Sequence, residues 1–303
     1  MAGTVYVDQS GKKYDKSEFI RYFEKKVLYT IRKYDMLGKD EKIVAAISGG
    51  KDSVSMAHIL NKILSKQGKK LQALLIDEGI PSYRDATVKD AVEFCKNENI
   101  KLTIVSARKE FKFGLNDALK KLQMNPCTIC GTMRRYLMNK YGRKLGATKI
   151  ATGHNLDDEA QTILMNQFKG NVNLSAKLGP VTGVKDHKKF IRRIKPLYFV
   201  TEKEVTIYST LKQFPVKYSE CPNARDTFRS QVRDHLNTLE NSFQGIKNGV
   251  INTFLEILPD LRKKEHGKIV ECIECQEPSA RPVCSMCELL EKYSGKKKLV
   301  SLK

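Results

Sequence analysis

Short apolar segments alternate with longer helical segments through the first half of this chain of 303 residues. KIVAAIS (42–48), LQALLID (71–77), KLTIVSA (101–107) and TKIATGH (148–154) have the length and branched aliphatic content of buried strands. A segment long enough for a helix of ten or more residues separates each strand from the next. This order is typical of βαβ units and predicts an α/β fold with a doubly wound parallel sheet.

The segments on either side of this alternation have different patterns. Residues 14–37 carry apolar side chains at four-residue steps, which predicts an amphipathic helix with a basic outer face. Further helices are expected over 201–214 and 246–258, with a basic loop or short strands over 169–195. The composition becomes rich in cysteine after Pro259. We therefore expect an N-terminal helical segment (1–38), a catalytic α/β domain (39–262) and a C-terminal metal-binding segment with a basic tail (263–303).

Charge and cysteine content narrow the class of protein. Lys and Arg number 55 against 34 acidic residues, a net charge of +21, and a field of this sign attracts polyanions, foremost nucleic acid. A generally basic proteome or a membrane-surface protein would explain the charge as well. No apolar run approaches the ~18 residues that span a bilayer, and the polar N-terminus does not resemble a secretory signal. We expect a soluble cytoplasmic protein whose eight cysteines serve metal binding or catalysis.

The stretch AAISGGKDSVSMAH (45–58) lies where the first strand turns into a helix. Free backbone N–H groups and the positive helix end create an anion site there, and Gly49 and Gly50 permit a tight turn. Ser48, Ser53 and Lys51 add donors and charge. Walker A chemistry is excluded, because Ala45 stands where that loop needs glycine. The alternative is that Gly49 and Gly50 form a turn that binds no ligand.

Acidic residues are expected at the same edge of the sheet. Asp77 ends the second strand, where a carboxylate suits a ribose or adenine contact. His154, Asp157 and Asp158 follow the fourth strand, and carboxylates beside a polyphosphate usually hold Mg²⁺. Capping of the next helix by Asn155 and Asp157 is an alternative that is compatible with this function.

Two sets of cysteines have metal-ligand spacing. Cys127 and Cys130 form one C-x-x-C pair, which suits a metal, a redox or persulfide pathway, or two ordinary buried thiols. The tail repeats the spacing, and we predict a closed structural zinc site that could also face RNA, with charge from KYSGKKK (292–298). Its four ligands would be Cys272, Cys275, Cys284 and Cys287. Cys95, on an apolar helical face, is assigned to the core.

The string Ser-Gly-Gly-x-Asp-Ser after a first strand resembles the PP-loop of the ATP pyrophosphatase superfamily, whose fold is like that of the adenine nucleotide alpha hydrolases. Further motifs follow in one order: the C-x-x-C pair with Arg134 and Arg135, TGHNLDDEAQT (152–162), RRIKPL (192–197) and ECPN (220–223). The combination resembles the TtcA/TtuA family of tRNA 2-thiolation enzymes, nearest the archaeal and eukaryotic cytosolic thiouridylases. The resemblance covers about residues 18–290.

The resemblance implies a reaction and a set of site residues. ATP would adenylate the C2 oxygen of a tRNA uridine with the help of Mg²⁺, and sulfur would then displace AMP. The implied ATP-binding residues are Ala46, Ser48, Gly49, Gly50, Lys51, Asp52, Ser53, Asp77, Arg134, Gly153, Asp157 and Asp158. Cys127, Cys130 and Cys221 match the three ligands of a 4Fe-4S cluster, and these cysteines with Asp158 and Arg134 are the implied catalytic residues.

Several alternatives remain open beside this implication. A zinc ion on the three cysteines or a persulfide pathway could replace the cluster. The target could be the wobble uridine, which the RRIKPL region favours, or a T-loop uridine. The sulfur donor could be sulfide or a ubiquitin-like thiocarboxylated protein, and relatives commonly form homodimers. Other functions are a different PP-loop ligase or amidase, for which three cysteines have no use, and a non-enzymatic RNA-binding module.

The N-terminus departs from the family. Many relatives begin with an additional zinc finger, but here no cysteine precedes Cys95. Asp15 and Glu18 occupy the approximate ligand positions. We therefore expect no zinc site in this segment.

Overall fold

The computed structural model describes residues 3–183, 187–217, 220–224, 227–264 and 268–295. Lys296–Lys298, to which part of the predicted tail charge belongs, lie outside the described residues. The strands are β1 (Tyr6–Val7), β2 (Lys13–Tyr14), β3 (Ile43–Ala46), β4 (Gln72–Asp77), β5 (Lys101–Ser106), β6 (Lys149–Thr152), β7 (Val181–Thr182), β8 (Arg192–Ile194), β9 (Val270–Glu271) and β10 (Pro278–Ser279). The helices are α1 (Lys16–Lys33), α2 (Lys51–Ser65), α3 (Tyr83–Asn97), α4 (Ala107–Phe111), α5 (Leu115–Lys121), α6 (Pro126–Lys144), α7 (Leu156–Phe168), α8 (Val172–Ser175), α9 (Glu202–Leu211), the 3₁₀ turn η1 (Pro222–Ala224), α10 (Phe228–Ser242), α11 (Ile246–Lys263) and α12 (Ser285–Ser294).

The predicted parallel sheet is confirmed. Six strands lie in the order β5-β4-β3-β6-β8-β7, and every neighbouring pair is parallel except β7 with β8. The antiparallel edge strand β7 has only two residues. Strands β3 and β6 are almost entirely buried, which accounts for their unbroken apolar sequences.

The order of the strands determines where a ligand can bind. β3 lies between β4 on one side and β6 on the other, so the chain direction across the sheet reverses at this point. In doubly wound sheets, the helices leaving two such strands go to opposite faces and open a crevice at the carboxyl ends. The turns after Ala46 and Thr152 border this crevice.

The N-terminal segment packs on the sheet domain through aromatic contacts. β1 and β2 form a hairpin whose turn is held by Asp8, which accepts hydrogen bonds from Ser10 and from the Tyr14 hydroxyl. Phe23 of α1 stacks on Tyr208 of α9, with ring centroids 4.1 Å apart. The N-terminal hairpin and helix therefore share a hydrophobic core with β3 and α9.

The two carboxylates at the positions where relatives would carry zinc ligands have a structural use. Asp15 is the N-cap of α1 and accepts from the backbone N–H of Glu18 at 2.8 Å. Glu18 in turn accepts from the backbone N–H of Asp15 at 3.0 Å. Together they form a capping box, which satisfies the otherwise free N–H groups of the first turn.

Two helices differ from the sequence expectations. α10 has no counterpart among the predicted helices, because only Val232 and Leu236 are buried and the rest of its sequence is polar. α11 continues to Lys263, past the expected end at 258. Pro259 lies exposed within its last turns, where the loss of one backbone hydrogen bond is tolerated.

The C-terminal segment packs against α6. Phe113 and Tyr293 stack with centroids 3.9 Å apart, and Asn139 of α6 donates to Glu277 at 3.2 Å. Cys272, Cys284 and Leu289 belong to the same core cluster as Ile129 and Met133 of α6. No helix among the described residues is long and apolar enough to cross a bilayer.

Candidate functional site

The turn after β3 has the geometry of a phosphate-binding loop. The Ser53 hydroxyl accepts from the Ser48 backbone N–H at 3.1 Å and donates to the Gly50 carbonyl at 2.9 Å. The Ser48 hydroxyl accepts from the Gly50 N–H at 3.3 Å. These bonds close the loop on itself at the positive end of α2, a position that favours an anion.

Two glycines in this region allow close backbone approach. Gly49 has φ +87°, and a Cβ there would lie 2.1 Å from the carbonyl oxygen of Thr87. A Cβ on Gly153 would lie 2.8 Å from the backbone nitrogen of Ser53. Gly49 thus joins the loop to α3, and Gly153 joins the turn after β6 to the loop. No other residue fits at either position without displacing the backbone.

Lys51 and Asp52 are held at the start of α2 by side chains from other elements. Lys51 Nζ lies 2.9 Å from Glu202 Oε1 and 3.2 Å from Asp52 Oδ2. Burial opposes the charge on Lys51, but the carboxylates of Asp52 and Glu202 outweigh it, so that the pKa of Lys51 is raised. Asn155 donates to Asp52 Oδ1 at 2.8 Å and so connects the loop to the N-terminus of α7.

Asp52 and Asp158 are two partly buried acidic groups, and the charge of Asp158 acts on Asp52. Burial raises the pKa of both carboxyl groups, and the charge of Asp158 raises that of Asp52 further. Arg229 offsets part of this, since its Nη1 lies 3.4 Å from Asp158 Oδ1. Two carboxylates beside a phosphate loop fit Mg²⁺, which prefers one or two carboxylates together with phosphate oxygens.

The Asp157 side chain points in a different direction from that of Asp158, although the two residues are adjacent. One carboxylate oxygen forms a buried ion pair with Lys247 of α11, and the other accepts from the Glu202 backbone N–H at 2.7 Å. Both oxygens are therefore engaged by α9 and α11. Asp157 was predicted to contact the nucleotide. In the structure its side chain connects α7 to α9 and α11 and does not lie at the loop.

Asp77, Ala46 and His154 lie at the carboxyl ends of three neighbouring strands. Asp77 accepts from the Gly79 N–H at 2.9 Å, which fixes the turn after β4. Ala46 is the last residue of β3. The His154 side chain is partly exposed, and its Nδ1 lies 3.0 Å from Thr152 Oγ1. Desolvation of the ring and the charge of Lys195 lower its pKa to about 4. His154 is thus a neutral group at physiological pH.

The cysteines predicted to act together lie on two elements that pack against each other, α6 and the segment that leads into η1. Asn125 caps α6 by accepting from the Cys127 N–H at 2.9 Å, and Cys130 follows one turn later. Cys221 immediately precedes the 3₁₀ turn η1, which packs against α6. Burial raises the pKa of Cys130 to about 11; Arg134 opposes this shift, whereas nearby Cys221 adds to it. Cys95, by contrast, is buried in α3 as expected.

Glu78 is a functional candidate that the sequence did not indicate. Its carboxylate is buried and lies 2.6 Å from Arg84 Nε and 3.5 Å from Arg134 Nε. Arg84 also donates to the Ser48 carbonyl at 2.7 Å, and its charge acts on Cys130. A chain of charges therefore runs from the phosphate loop through Arg84 and Glu78 to Arg134 beside the cysteines. The only sequence feature that pointed to Glu78 was its position as a second acidic residue directly after Asp77.

The tail cysteines form a separate group that could hold a metal ion. Their four sulfur atoms lie within 4.8 Å of one another. The Sγ atoms of Cys272 and Cys287 are 3.8 Å apart, and those of Cys275 and Cys284 are 3.7 Å apart. Sulfurs bound to one zinc at about 2.3 Å in a tetrahedron are about 3.8 Å apart, so the spacing fits zinc. Backbone N–H groups of Cys284 and Cys287 donate to ligand sulfurs, which also suits thiolates.

The three cysteines beside Arg134 have a different spacing. In the described part of the chain, Cys127, Cys130 and Cys221 do not form a group whose sulfurs all lie within 4.8 Å. Three thiolates on a single zinc would need that closeness. An iron–sulfur cluster binds each thiolate to a different iron and tolerates a wider set, so the donors present here fit such a cluster better.

Comparisons with known proteins agree with this geometry. A family profile described as a PP-loop domain matches residues 21–240. A tRNA-5-methyluridine(54) 2-sulfurtransferase of Pyrococcus horikoshii is 37% identical over 94% of this chain and 88% of its own length. The tRNA 2-thiolation protein NcsA of Haloferax volcanii is 35% identical over 90% of this chain and 91% of its own length.

A solved structure extends the match to three dimensions. The U34-tRNA thiolase NcsA of Methanococcus maripaludis, described with its 4Fe-4S cluster, superposes with a TM-score of 0.84 at 31% identity. The match covers 99% of this chain and 96% of that one. The fold and the loop define a PP-loop nucleotide-binding protein. More narrowly, the chain belongs to the family of tRNA 2-thiolation enzymes, and the resemblance seen in the sequence is confirmed.

Proposed function

We propose that this protein is an ATP-dependent tRNA uridine 2-sulfurtransferase. The observation that carries the proposal is a series of side-chain contacts that connects two kinds of chemistry. A phosphate loop at the carboxyl end of β3 and a set of three cysteines at α6 and η1 are joined by Arg84 and Glu78. A phosphate loop alone would serve many reactions, and the cysteines restrict the reaction to one that handles sulfur or a metal.

The loop side would activate the uridine. Backbone N–H groups between Ser48 and Ser53 would hold the phosphates of ATP at the N-terminus of α2, with Lys51 neutralising charge. Asp52 and Asp158 would hold Mg²⁺, which clamps phosphate oxygens and stabilises the charge that develops on them. The uridine C2 oxygen attacks the α-phosphorus, and pyrophosphate leaves. Asp77, at the end of the adjacent strand, is assigned to the nucleoside.

The cysteine side would deliver sulfur. Cys127, Cys130 and Cys221 would hold a 4Fe-4S cluster, which, when bound, offers an iron without a protein ligand where sulfide can be held. Arg134 lies between these thiolates and Glu78, where it can face the phosphates of the activated base. Sulfide attacks C2, the C2–O bond breaks, AMP leaves with the former C2 oxygen, and the proton of hydrosulfide goes to solvent. No electrons are transferred overall.

The partners follow from this assignment. tRNA is the substrate, in keeping with the net charge of +21. The sulfur comes from sulfide or a thiocarboxylated ubiquitin-like protein. A homodimer, common among relatives, and a cytoplasmic location are expected. Seven of the eight cysteines are assigned here to metal binding, a use of cysteine that is typical of a reducing compartment.

One assay tests the function. The protein is purified without oxygen and incubated with an unmodified tRNA transcript, ATP, Mg²⁺ and sulfide, and the digested RNA is analysed for 2-thiouridine by mass spectrometry. Related proteins act at uridine 54 and uridine 34, so transcripts with a single target uridine at either position identify the site. We expect thiouridine only with ATP. A parallel reaction contains ammonium in place of sulfide. A base that gains an amino group in that reaction would establish the alternative, amidation by a PP-loop enzyme.

A further inference from the structure

An exposed apolar surface is formed by the C-terminal end of α7, by α8 and by the start of α10. Phe168 is 68% exposed, and Val172 and Leu174 are each more than half exposed. Phe228, at the start of α10, is 38% exposed. We define the aromatic rim as Phe168, Lys169, Val172, Leu174 and Phe228. Large exposed apolar side chains that lie near one another usually mark a binding surface. Leaving them in contact with water is unfavourable unless a partner covers them.

The aromatic rim is connected to the candidate active site. The ammonium of Lys169 lies 4.6 Å from the ring centroid of Phe228, which links the end of α7 to the start of α10. The next residue, Arg229, donates to Thr162 Oγ1 at 2.7 Å and pairs with Asp158. Phe228 therefore adjoins the residue that pairs with the carboxylate assigned to Mg²⁺. Phe168 lies ten residues further along α7 than Asp158, about 15 Å at 1.5 Å per residue.

The charge of the surface indicates the chemistry of the partner. The sequence from Ala160 to Gly183 contains no acidic residue, although acidic residues make up 34 of 303 in the whole chain. It contains Lys169 and Lys177, and it is rich in Asn and Gln. α10 likewise begins Phe-Arg-Ser-Gln-Val-Arg, without an acid before Asp234. A surface with aromatic rings, amides and cations but no carboxylates suits a polyanion with exposed planar groups.

We propose that the aromatic rim binds single-stranded nucleotides of the tRNA next to the target uridine, with Phe168 and Phe228 stacking on unpaired bases. A base-paired helix hides the faces of its bases, so the partner is a loop or an opened strand. Lys169 lies close enough to Phe228 to contact the phosphate of a base stacked there. This inference rests on the proposed function, since it names the part of the tRNA that the same site receives.

The test replaces the rings without removing apolar volume. Phe168→Leu and Phe228→Leu are combined, and Phe243→Leu is the matched control, since Phe243 is 65% exposed on the far end of α10. The Kd of an unmodified tRNA transcript is measured by filter binding at two salt concentrations, and the Kd of ATP is measured for each variant. Stacking on an aromatic side chain contributes strongly to single-strand binding, and we expect tRNA binding about tenfold weaker in the double variant.

Other readouts separate stacking from mere bulk and from misfolding. We expect an unchanged ATP Kd for every variant and an unchanged tRNA Kd for Phe243→Leu. Replacing Phe228→Leu by Phe228→Trp in the double variant should restore tRNA binding. A double variant that binds tRNA as tightly as the wild type overturns the aromatic rim but not the proposed function. A wild type that does not bind tRNA at all overturns both. A double variant that changes from dimer to monomer in light scattering while keeping its tRNA affinity assigns the surface to self-association and overturns the proposal.

Discussion

Arg84 Nε lies 2.6 Å from the carboxylate of Glu78, and both side chains are buried. The same guanidinium group donates to the carbonyl of Ser48, so one cation holds the phosphate loop and the turn after β4 together. Arg134 shares the carboxylate at 3.5 Å from the cysteine side. The loop that would activate the uridine and the thiols that would supply sulfur are thus positioned by one acidic residue.

Glu78→Gln tests this arrangement. A neutral amide leaves the buried Arg84 without a counter-charge, and breaking a buried ion pair on one side costs about 3–5 kcal/mol. We expect the free energy of unfolding, measured by urea denaturation, to fall by about 3 kcal/mol. Glu220→Gln is the control, because its pair with Arg233 is exposed and worth less than about 1 kcal/mol. Equal effects of the two substitutions would contradict the assignment.

Gly49→Ala tests the closeness of the loop to α3. The added Cβ would lie 2.1 Å from the Thr87 carbonyl oxygen at a residue with φ +87°. We expect a loss of at least about 2 kcal/mol in unfolding free energy, since both strain and clash act. The neighbouring Gly50 has φ −90°, and a Cβ there would lie 3.5 Å from the Ser48 hydroxyl, an ordinary contact distance. Gly50→Ala should therefore remain stable; a destabilised Gly50→Ala beside a stable Gly49→Ala would refute the geometry.

His154 should stay neutral well below pH 7. Its pKa is lowered to about 4, whereas an unperturbed histidine titrates near about 6.5. The unfolded chain then binds a proton at His154 that the folded chain does not, so this residue makes the protein less stable as pH falls from about 6.5 to about 4. Nitrogen chemical shifts of the imidazole ring, assigned with His154→Gln, measure the titration. A midpoint near 6.5 would show that the crevice walls do not desolvate the ring.

The two sets of cysteines should lose their metals independently. Cys221→Ala removes one of three thiols at the crevice, and we expect loss of iron and labile sulfide while about one zinc per chain remains. Cys272→Ala should release zinc and lower the unfolding temperature, because the zinc-binding segment packs on α6. Metal content of anaerobically purified variants is the measurement. Loss of zinc in Cys221→Ala would mean that the cysteines exchange between sites.

The sequence predicted the parts of this site that are local in the chain. The phosphate loop is a strand, a glycine turn and a helix in succession, and the zinc ligands lie within sixteen residues. Parts that depend on distant packing were not predictable. Asp157 and Asp158 are adjacent, but successive residues on a helix point about 100° apart, and only Lys247 from α11 shows that Asp157 faces away. The role of Glu78 depends on Arg84 and Arg134, which the fold brings to it from two different helices.

We infer that one site joins ATP cleavage to sulfur transfer. The most direct measurement follows both products in the same reaction: AMP and pyrophosphate from labelled ATP, and 2-thiouridine in the tRNA. We predict that the wild-type protein forms one AMP and one pyrophosphate for each 2-thiouridine, and that Cys221→Ala forms no 2-thiouridine. Thiouridine formed at full rate without ATP cleavage, or by the Cys221→Ala variant, would contradict the account.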